Sequence, residues 1–452
     1  MTERAVTVVG GGLAGIAAAL DLAHAGVAVK LLEVRPRLGG AAYSFQRDGL
    51  WLDNGQHVFL RCCHEYRTLL GRLGTTADTV LQERLSIPVL TPGGGTAWLR
   101  RSGLPAPLHL ASALAGYRPL RLRERVAAGL AARQLGKIAP DGAEADGQSF
   151  GDWLRQRHQS RAAVEGLWEL IGRPTLNLRV DDTSLAGAAF VFRVGLLEDS
   201  KAGDIGYARV PLQRVHGDAA LAALQSAGVE VRLGFRAQRI EPTPRGGLCV
   251  WGHGERLATP AVVLAVPHDR ASGLLPPGAV RDPGALERLG SSPIVNLHVI
   301  YDRPVLKHEF AAAVGTPVQF VFDRTASSGL ERGQCLAVSL SAADEEIDTP
   351  AHELETRFCD ALAQLLPAAR SANVERFVVT RERFATFRAA PGVWSSRPGQ
   401  QTGIESLALA GAWTDTGWPA TMEGAVRSGR AAARLILPVL ERDRAIEEEV
   451  VV

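Results

Sequence analysis

The 452-residue sequence is poor in cysteine, has no long apolar run and carries little net charge. Its five cysteines form no C-x-x-C pair: Cys62, Cys63, Cys249, Cys335 and Cys359. An odd number of unpaired cysteines argues against a disulfide framework and predicts a reducing, cytoplasmic compartment. Zinc is not expected either, because the group of His57, Cys62, Cys63 and His64 lacks the usual paired ligand spacing.

Two further absences narrow the class of protein. No segment reaches the roughly 18 consecutive apolar residues that a membrane-spanning helix needs. The net charge of +2 gives the whole chain no general attraction to nucleic acid. We therefore expect a soluble or peripheral protein that does not bind nucleic acid. At 452 residues, the chain is long enough for about two domains.

The N-terminal residues contain a glycine pattern with a specific physical purpose. The sequence VTVVGGGLAGIAAALDLAH (6–24) predicts a buried strand, a G-x-G-x-x-G turn and a helix from about Leu13 to His24. Gly10 permits the tight turn, Gly12 lets the backbone approach a pyrophosphate, and Gly15 lets the helix pack on the strand. The N-terminus of that helix directs free N–H groups towards phosphate. The pattern predicts a dinucleotide site.

An acidic residue at the end of the next strand narrows the choice of dinucleotide. Glu33 follows the strand 27–32 and lies 33 − 10 = 23 positions after Gly10, close to the roughly 20 typical of an acid that binds a ribose hydroxyl. A carboxylate there disfavours the 2′-phosphate of NADP, which leaves FAD and NAD. Gly39 and Gly40 follow shortly after this acid, which is similar to flavoprotein oxidases and desaturases, where such a pair lets the chain run beside the pyrophosphate; this resemblance favours FAD.

The order of the predicted elements indicates a discontinuous arrangement. Strand patterns at 228–233, 261–267 and 406–410 predict that 1–70, 205–270 and 400–438 form one Rossmann-like α/β domain, which binds FAD. An inserted α+β substrate domain is expected from 71–204 and 271–399, with strands near 294–301, 318–323 and 335–341 and a helix near 351–366. A helix from about Met422 to Ile436 is expected to end at Pro438, before a charged tail, 439–452.

One segment, 100–137, differs from the rest of the chain in charge. Its eight basic residues and single acid, Glu124, give it a net charge of +7, so the remainder of the chain sums to 2 − 7 = −5. Apolar residues alternate with the basic ones. Two interpretations stay open: solvated surface helices, or a basic amphipathic surface that lies on anionic lipid at the inner face of the cytoplasmic membrane.

Two further motifs carry a resemblance to a known family. They are DNGQHVFLRCCHEYRTLLGRLG (53–74) and TDTGWPATMEGAVRSG (414–429). Together with the glycine turn, they resemble the FAD-dependent amine oxidase and phytoene desaturase superfamily. Within it, the sequence is similar to the squalene-associated branch of hydroxysqualene dehydroxylases. The likeness covers nearly the whole chain and is weaker over 75–200 and 271–400.

The resemblance implies which residues surround FAD. Its motifs correspond to Gly10, Gly12, Leu13, Ala14, Gly15, Glu33, Val34, Arg35, Arg37, Gly39, Gly40, Ala41, Asn54, Gly55, Gln56, His57, Val231, Gly411, Ala412, Glu423, Gly424 and Ala425. This chain departs from the family at Ala41, where many relatives have Arg, and at Ala412, where relatives usually have Asp. Loss of that acid predicts weaker FAD binding unless Asp415 replaces it.

The resemblance also implies a reaction, the reductive removal of an allylic hydroxyl from hydroxysqualene to give squalene. Reduced flavin, an acid and a dry cavity for a long isoprenoid are the requirements. The candidate acids are His57, Asp53 and Asp415. No second nucleotide motif is present, so an external electron donor is expected to reduce the flavin. Alternatives are a carotenoid or squalene desaturase and an isoprenoid-binding protein with a weakened flavin site; an amine oxidase is disfavoured because no aromatic pair near the C-terminal motif would enclose an amine.

Overall fold

A five-stranded parallel sheet brings together three distant parts of the chain. The computed structural model describes residues 5–244, 246–282 and 284–451, with side chains described up to Arg442. The strands in chain order are β1 Val6–Val9, β2 Val29–Glu33, β3 Ser44–Arg47, β4 Leu50–Asp53, β5 Val58–Leu60, β6 Thr79–Leu81, β7 Ser86–Thr91, β8 Gly95–Arg100, β9 Ile205–Ala208, β10 Glu230–Leu233, β11 Ala237–Pro242, β12 Leu248–Gly252, β13 Glu255–Thr259, β14 Val262–Leu264, β15 Ser292–Tyr301, β16 Phe310–Ala313, β17 Phe320–Asp323, β18 Gln334–Ser341, β19 Val374–Thr386 and β20 Leu407–Leu409.

The helices lie between these strands. They are α1 Leu13–His24, α2 His64–Arg72, α3 Ala111–Ala115, α4 Leu122–Leu135, α5 Ala143–Gly147, α6 Phe150–Gln156, α7 Arg161–Ala163, α8 Glu169–Leu176, α9 Leu185–Phe192, α10 Ala219–Ser226, α11 His268–Ala271, α12 Gly284–Arg288, α13 Thr325–Ser328, α14 Ala351–Leu365 and α15 Met422–Val451. Short 3-10 turns occur at Thr76–Asp78, Leu108–Leu110 and Pro367–Ser371, and π-helical turns at Val164–Trp168, Arg193–Leu197 and Gln213–Asp218.

The parallel sheet has the strand order β10-β2-β1-β14-β20. Strands β1, β14 and β20 are apolar apart from Thr7, as expected for strands that helices cover on both faces, whereas the edge strand β10 carries Glu230 and Arg232. Helix α1 packs against α15, where a Cβ added at Gly429 would lie 2.0 Å from the carbonyl oxygen of Ala14. This close crossing holds the C-terminal helix beside the glycine turn. The fold is therefore the Rossmann-like α/β arrangement predicted from the sequence.

A seven-stranded sheet, β19-β15-β18-β17-β16-β7-β8, forms the second layer. All its pairs are antiparallel except β16 with β7. The predicted strands near 294–301, 318–323 and 335–341 and the helix near 351–366 are confirmed as β15, β17, β18 and α14. The 13-residue strand β19 was not predicted; it pairs with β15 at one edge of this sheet.

The predicted end of the C-terminal helix is wrong. Helix α15 continues through Pro438 to Val451. Proline removes the hydrogen bond to the carbonyl of Arg434, but both residues are exposed and water can satisfy that carbonyl. Within the described residues, no helix is long and apolar enough to cross a membrane.

Candidate active site

One large cavity lies at the carboxyl edge of the parallel sheet. It has a volume of 2170 Å³, and its lining includes the ends of four strands at Val9, Glu33, Ala265 and Gly411. Ligands of open parallel sheets bind at this edge. From there the cavity extends to helices of the segment between β8 and β9, so one space joins the glycine turn to an apolar region.

The glycine turn has the geometry that a bound pyrophosphate requires. Gly10 has a φ of +111°, and a Cβ there would lie 2.3 Å from the carbonyl oxygen of Ala265. A Cβ added at Gly12 would meet only the Cα of Gly40, at an ordinary contact distance of 3.7 Å, and Gly12 lines the cavity. The backbone is therefore open to a ligand at Gly12 and closely packed behind it.

Glu33 is placed to hold a ribose. The carboxylate is buried and accepts hydrogen bonds from the backbone N–H of Gly11 (2.6 Å) and of Arg35 (2.8 Å). These bonds fix the carboxylate beside the glycine turn, where it also lines the cavity. The open approach at Gly12 and the fixed acid fit the ADP half of FAD.

Asn54 ties together the loop that follows Gly40 and the strand β19. Its side-chain oxygen accepts from Tyr43 N (3.1 Å), and its amide nitrogen donates to the carbonyl of Ala41 (2.8 Å) and to Glu382 (2.9 Å). Burial raises the pKa of the Tyr43 phenol, and the neighbouring Glu382 raises it further. Asn54 thus holds the carboxyl group of Glu382, from the second sheet, against the loop that follows Gly40.

Glu382 is a site residue that the sequence analysis missed. It lies in β19 and lines the same cavity as Gly40 and Asn54. Its flanking sequence, RER, looks like an ordinary solvated strand, and β19 itself was not predicted. Only the pairing of β19 with β15 reveals its position.

His57 lines the cavity but is a poor proton donor near neutral pH. Its imidazole is half-buried at the cavity wall, and desolvation lowers its pKa to about 4, against the smaller opposing influence of Asp53. The ring is therefore neutral at pH 7. This placement fits a structural or flavin-facing role and argues against the acid role considered from the sequence.

Asp53 is part of a buried ion pair. Its carboxylate accepts from the Arg324 guanidinium (2.8 Å), the Ser44 hydroxyl (2.6 Å) and Leu212 N (3.2 Å). It does not line the large cavity. The structure therefore gives Asp53 a role in joining the two layers and not one as the acid for a substrate.

Asp415 does not take the place of the acid absent at Ala412. Its carboxylate accepts from the buried Arg397 (3.2 Å), whose guanidinium also stacks on Trp394. Ala412 lines the cavity and Asp415 does not. Neither the replacement role nor the proton-donor role predicted for Asp415 agrees with this geometry.

Glu423 turns its carboxylate away from the cavity's open space. It is fully buried and accepts from the backbone N–H of Glu65 (3.2 Å) and Tyr66 (2.8 Å) and from the Arg427 guanidinium (2.7 Å). A carboxylate at a helix N-terminus is stabilising, so Glu423 fastens α2 to the start of α15.

Most of the predicted cofactor residues line the cavity. They are Gly10, Gly12, Leu13, Ala14, Glu33, Val34, Arg35, Gly39, Gly40, Ala41, Asn54, Gly55, Gln56, His57, Gly411, Ala412, Glu423 and Ala425. Those predicted but placed behind the lining are Gly15, Arg37, Val231 and Gly424.

The four residues behind the lining have packing roles, and an added Cβ at Gly424 would lie 2.7 Å from the carbonyl oxygen of Pro419. An added Cβ at Gly15 would lie 1.9 Å from the carbonyl oxygen of Gly10, so this glycine closes α1 onto β1. The Arg37 guanidinium stacks 3.5 Å from the Tyr43 ring and supports the loop. Val231, in the edge strand β10, pairs with Leu31 of β2. The cavity instead reaches the loop after β10, residues 235–237, which no sequence motif marked.

The far part of the cavity is apolar. Its walls come largely from the segment between β8 and β9 and include Leu114, Leu167, Trp168, Ile171, Phe190 and Phe192. Such walls suit a long hydrocarbon. Arg101, counted in the basic segment, is buried here and forms an ion pair with Asp204 (2.6 Å), so it adds no charge to the surface.

Comparisons with known proteins agree with this geometry. The family model of flavin containing amine oxidoreductase matches residues 13–437. A hydroxysqualene dehydroxylase of Rhodopseudomonas palustris is 32% identical, covering 96% of this chain and 99% of that protein. A 15-cis-phytoene desaturase of Narcissus pseudonarcissus is 28% identical, covering 96% and 79%. A solved putrescine oxidase bound to putrescine has a TM-score of 0.72 at 20% identity, covering 96% and 99%, which shows the same fold.

Proposed function

The chain belongs to the flavin containing amine oxidoreductase family and is a FAD-dependent oxidoreductase, and from that premise we propose that it converts hydroxysqualene into squalene. The observation that carries the proposal is the single cavity that joins the dinucleotide end to apolar walls. Full-length similarity to proteins named hydroxysqualene dehydroxylase supports this choice of isoprenoid.

The size of the cavity supports two occupants. At 2170 Å³ it has about twice the volume at the upper end of ordinary small-molecule sites, roughly 1,000 Å³. FAD at the sheet edge leaves the region around Trp168 and Phe192 for a long hydrocarbon. These walls also exclude water from an allylic cation.

The chemistry balances with one hydride and one proton. The C–O bond of the allylic alcohol breaks, a C–H bond forms at the allylic system, and the hydroxyl leaves as water. Reduced FAD, when bound, supplies the hydride. An external donor must restore the two electrons afterwards. The protein itself has to deliver the proton to the departing hydroxyl.

Glu382 is our choice for the proton donor. Glu33, Glu198, Asp269 and Glu423 also line the cavity, but backbone N–H groups or arginines engage their carboxylates. Glu382 is held by the Asn54 amide (2.9 Å) at the boundary between the flavin-side loop and the substrate sheet.

Anaerobic product analysis tests the proposal. FAD-loaded, photoreduced protein is mixed with hydroxysqualene, and the lipid extract is analysed by gas chromatography and mass spectrometry. Squalene is the expected product. Phytoene with oxidised protein provides a second incubation, because a phytoene desaturase is also similar over most of this chain.

The two alternatives give different results in the same experiment. An additional double bond in phytoene, with no squalene in the first incubation, would identify a desaturase. Tight binding of either lipid without turnover would identify an isoprenoid-binding protein. A chain that fails to bind FAD at all would remove the basis of both enzymatic proposals.

A further inference from the structure

We propose that the surface of α3 and α4 docks on an anionic phospholipid bilayer, so that the long isoprenoid enters the cavity directly from the membrane. The identity of the transferred lipid rests on the proposed function, but the docking itself does not. Three features carry the inference: an outward apolar stripe, a set of exposed cations, and a cavity opening in the same place.

The apolar stripe lies on α4. Leu122, Val126 and Leu130 recur every four residues, on one face of the helix, and are 71%, 56% and 59% exposed. The helix packs on the protein through the opposite face, with its buried residues Ala128, Ala131 and Leu135. The three side chains of the stripe are therefore not part of the hydrophobic core.

This concentration of exposed apolar side chains is confined to one part of the surface. Five of the ten large hydrophobic side chains that the described chain exposes lie within residues 104–130. Single exposed apolar residues are ordinary, but a cluster marks an interaction surface. Leu104 and Leu108 complete this cluster.

The charge around the stripe matches an anionic surface. Five cations are exposed here: Arg118, Arg121, Arg123, Arg133 and Lys137. Within the described part of the chain, none of them lies within 4.0 Å of a carboxylate. The carboxylate of Glu124, the one acid of the segment, accepts hydrogen bonds from Arg121 N (2.8 Å) and from the Ser160 hydroxyl (2.8 Å). A basic helix with an apolar face binds at the lipid headgroup boundary.

The cavity opens at the same surface. Leu108, Leu122 and Val126 are each more than half exposed and also line the cavity. A residue that contacts both solvent and the cavity lies at an opening. A bilayer placed against the stripe would therefore cover this opening, and an apolar lipid could pass inwards without crossing water.

Vesicle binding tests the docking with variants chosen to keep the cavity intact. The variant R118Q/R121Q/R123Q removes three exposed cations that do not line the cavity. Arg125 is left unchanged because its guanidinium donates to the carbonyls of Leu120 (2.7 Å) and Ala115. The control R214Q/R239Q/R442Q makes the same change in net charge at exposed positions elsewhere.

Binding is measured by sedimentation of the FAD-loaded protein with phosphatidylcholine vesicles that either contain or lack phosphatidylglycerol. We expect binding only with phosphatidylglycerol, reduced by salt. At about 1 kcal/mol per basic residue, the triple variant should bind on the order of a hundredfold more weakly, and the control should bind like the unaltered protein. L104S/L130S should also weaken binding, because it removes two exposed apolar side chains from this surface. These two leucines were chosen because neither lines the cavity.

Equal binding of the triple variant and the unaltered protein would overturn the proposal, and so would equal binding to neutral vesicles. A parallel turnover assay separates this failure from that of the proposed function. The triple variant should convert detergent-dispersed hydroxysqualene at the normal rate and vesicle-embedded hydroxysqualene slowly. Vesicle binding without any squalene would leave the docking intact and refute the reaction.

Discussion

Restoring an acid at position 412 should tighten FAD binding. Ala412 lines the cavity beside Gly411, whose N–H is already bonded to the Ser428 hydroxyl (2.8 Å). The substitution A412D would place a carboxylate at this part of the cavity wall. One hydrogen bond involving a charged group contributes about 1.5–3 kcal/mol. The dissociation constant of FAD should therefore fall roughly tenfold to a hundredfold.

Titration of FAD into the apoprotein, followed by flavin fluorescence, measures this change. The matched control is D415N, which alters the acid three residues away. Because Asp415 binds Arg397 outside the cavity, D415N should leave FAD affinity nearly unchanged while lowering thermal stability. If A412D binds FAD no more tightly, or if D415N weakens FAD binding strongly, the assignment of these two positions is refuted.

Three other perturbations follow from the structure. E382Q should lower squalene formation by about 10²–10⁴-fold, the usual contribution of a general acid, with an unchanged flavin spectrum; full activity would exclude Glu382 as the donor. D53A should destabilise the protein by about 3–5 kcal/mol in urea unfolding, because it leaves the Arg324 charge buried without its partner; a loss below 1 kcal/mol would contradict this. Desolvation lowers the pKa of His57 and His298 to about 4, below the 6.5 of an unfolded chain. Because the unfolded chain then binds more protons between these values, each histidine should lower the free energy of unfolding by about 1.4 kcal/mol per pH unit as pH falls from 6.5 towards 4. H57Q should show a shallower pH dependence in urea unfolding, and an unchanged slope would refute this attribution.

The glycine turn and its helix could be predicted closely because local requirements determine them. The expected helix from Leu13 to His24 agrees with α1 at both ends. The strand after it, the acid Glu33 and the distant strands β14 and β20 were also recognisable from short apolar runs. Parallel strands buried on both faces leave this signal in the sequence itself.

Features that depend on contacts between distant segments could not be predicted in the same way. Glu382 becomes a site residue only because β19 pairs with β15 and meets Asn54, 328 positions away in the sequence. Asp415 was chosen for its nearness to Ala412 in sequence, whereas its side chain reaches Arg397 on the other side of the loop. Pro438 was expected to end a helix, but its exposed position allows α15 to continue.

The central claim is most directly tested by the stoichiometry of a single anaerobic turnover. Photoreduced, FAD-loaded protein is mixed with hydroxysqualene, and the return of oxidised flavin absorbance is followed while squalene is quantified at each time. We predict one squalene formed for each flavin reoxidised, with both appearing at the same rate. Flavin that stays reduced in the presence of bound hydroxysqualene would contradict the account.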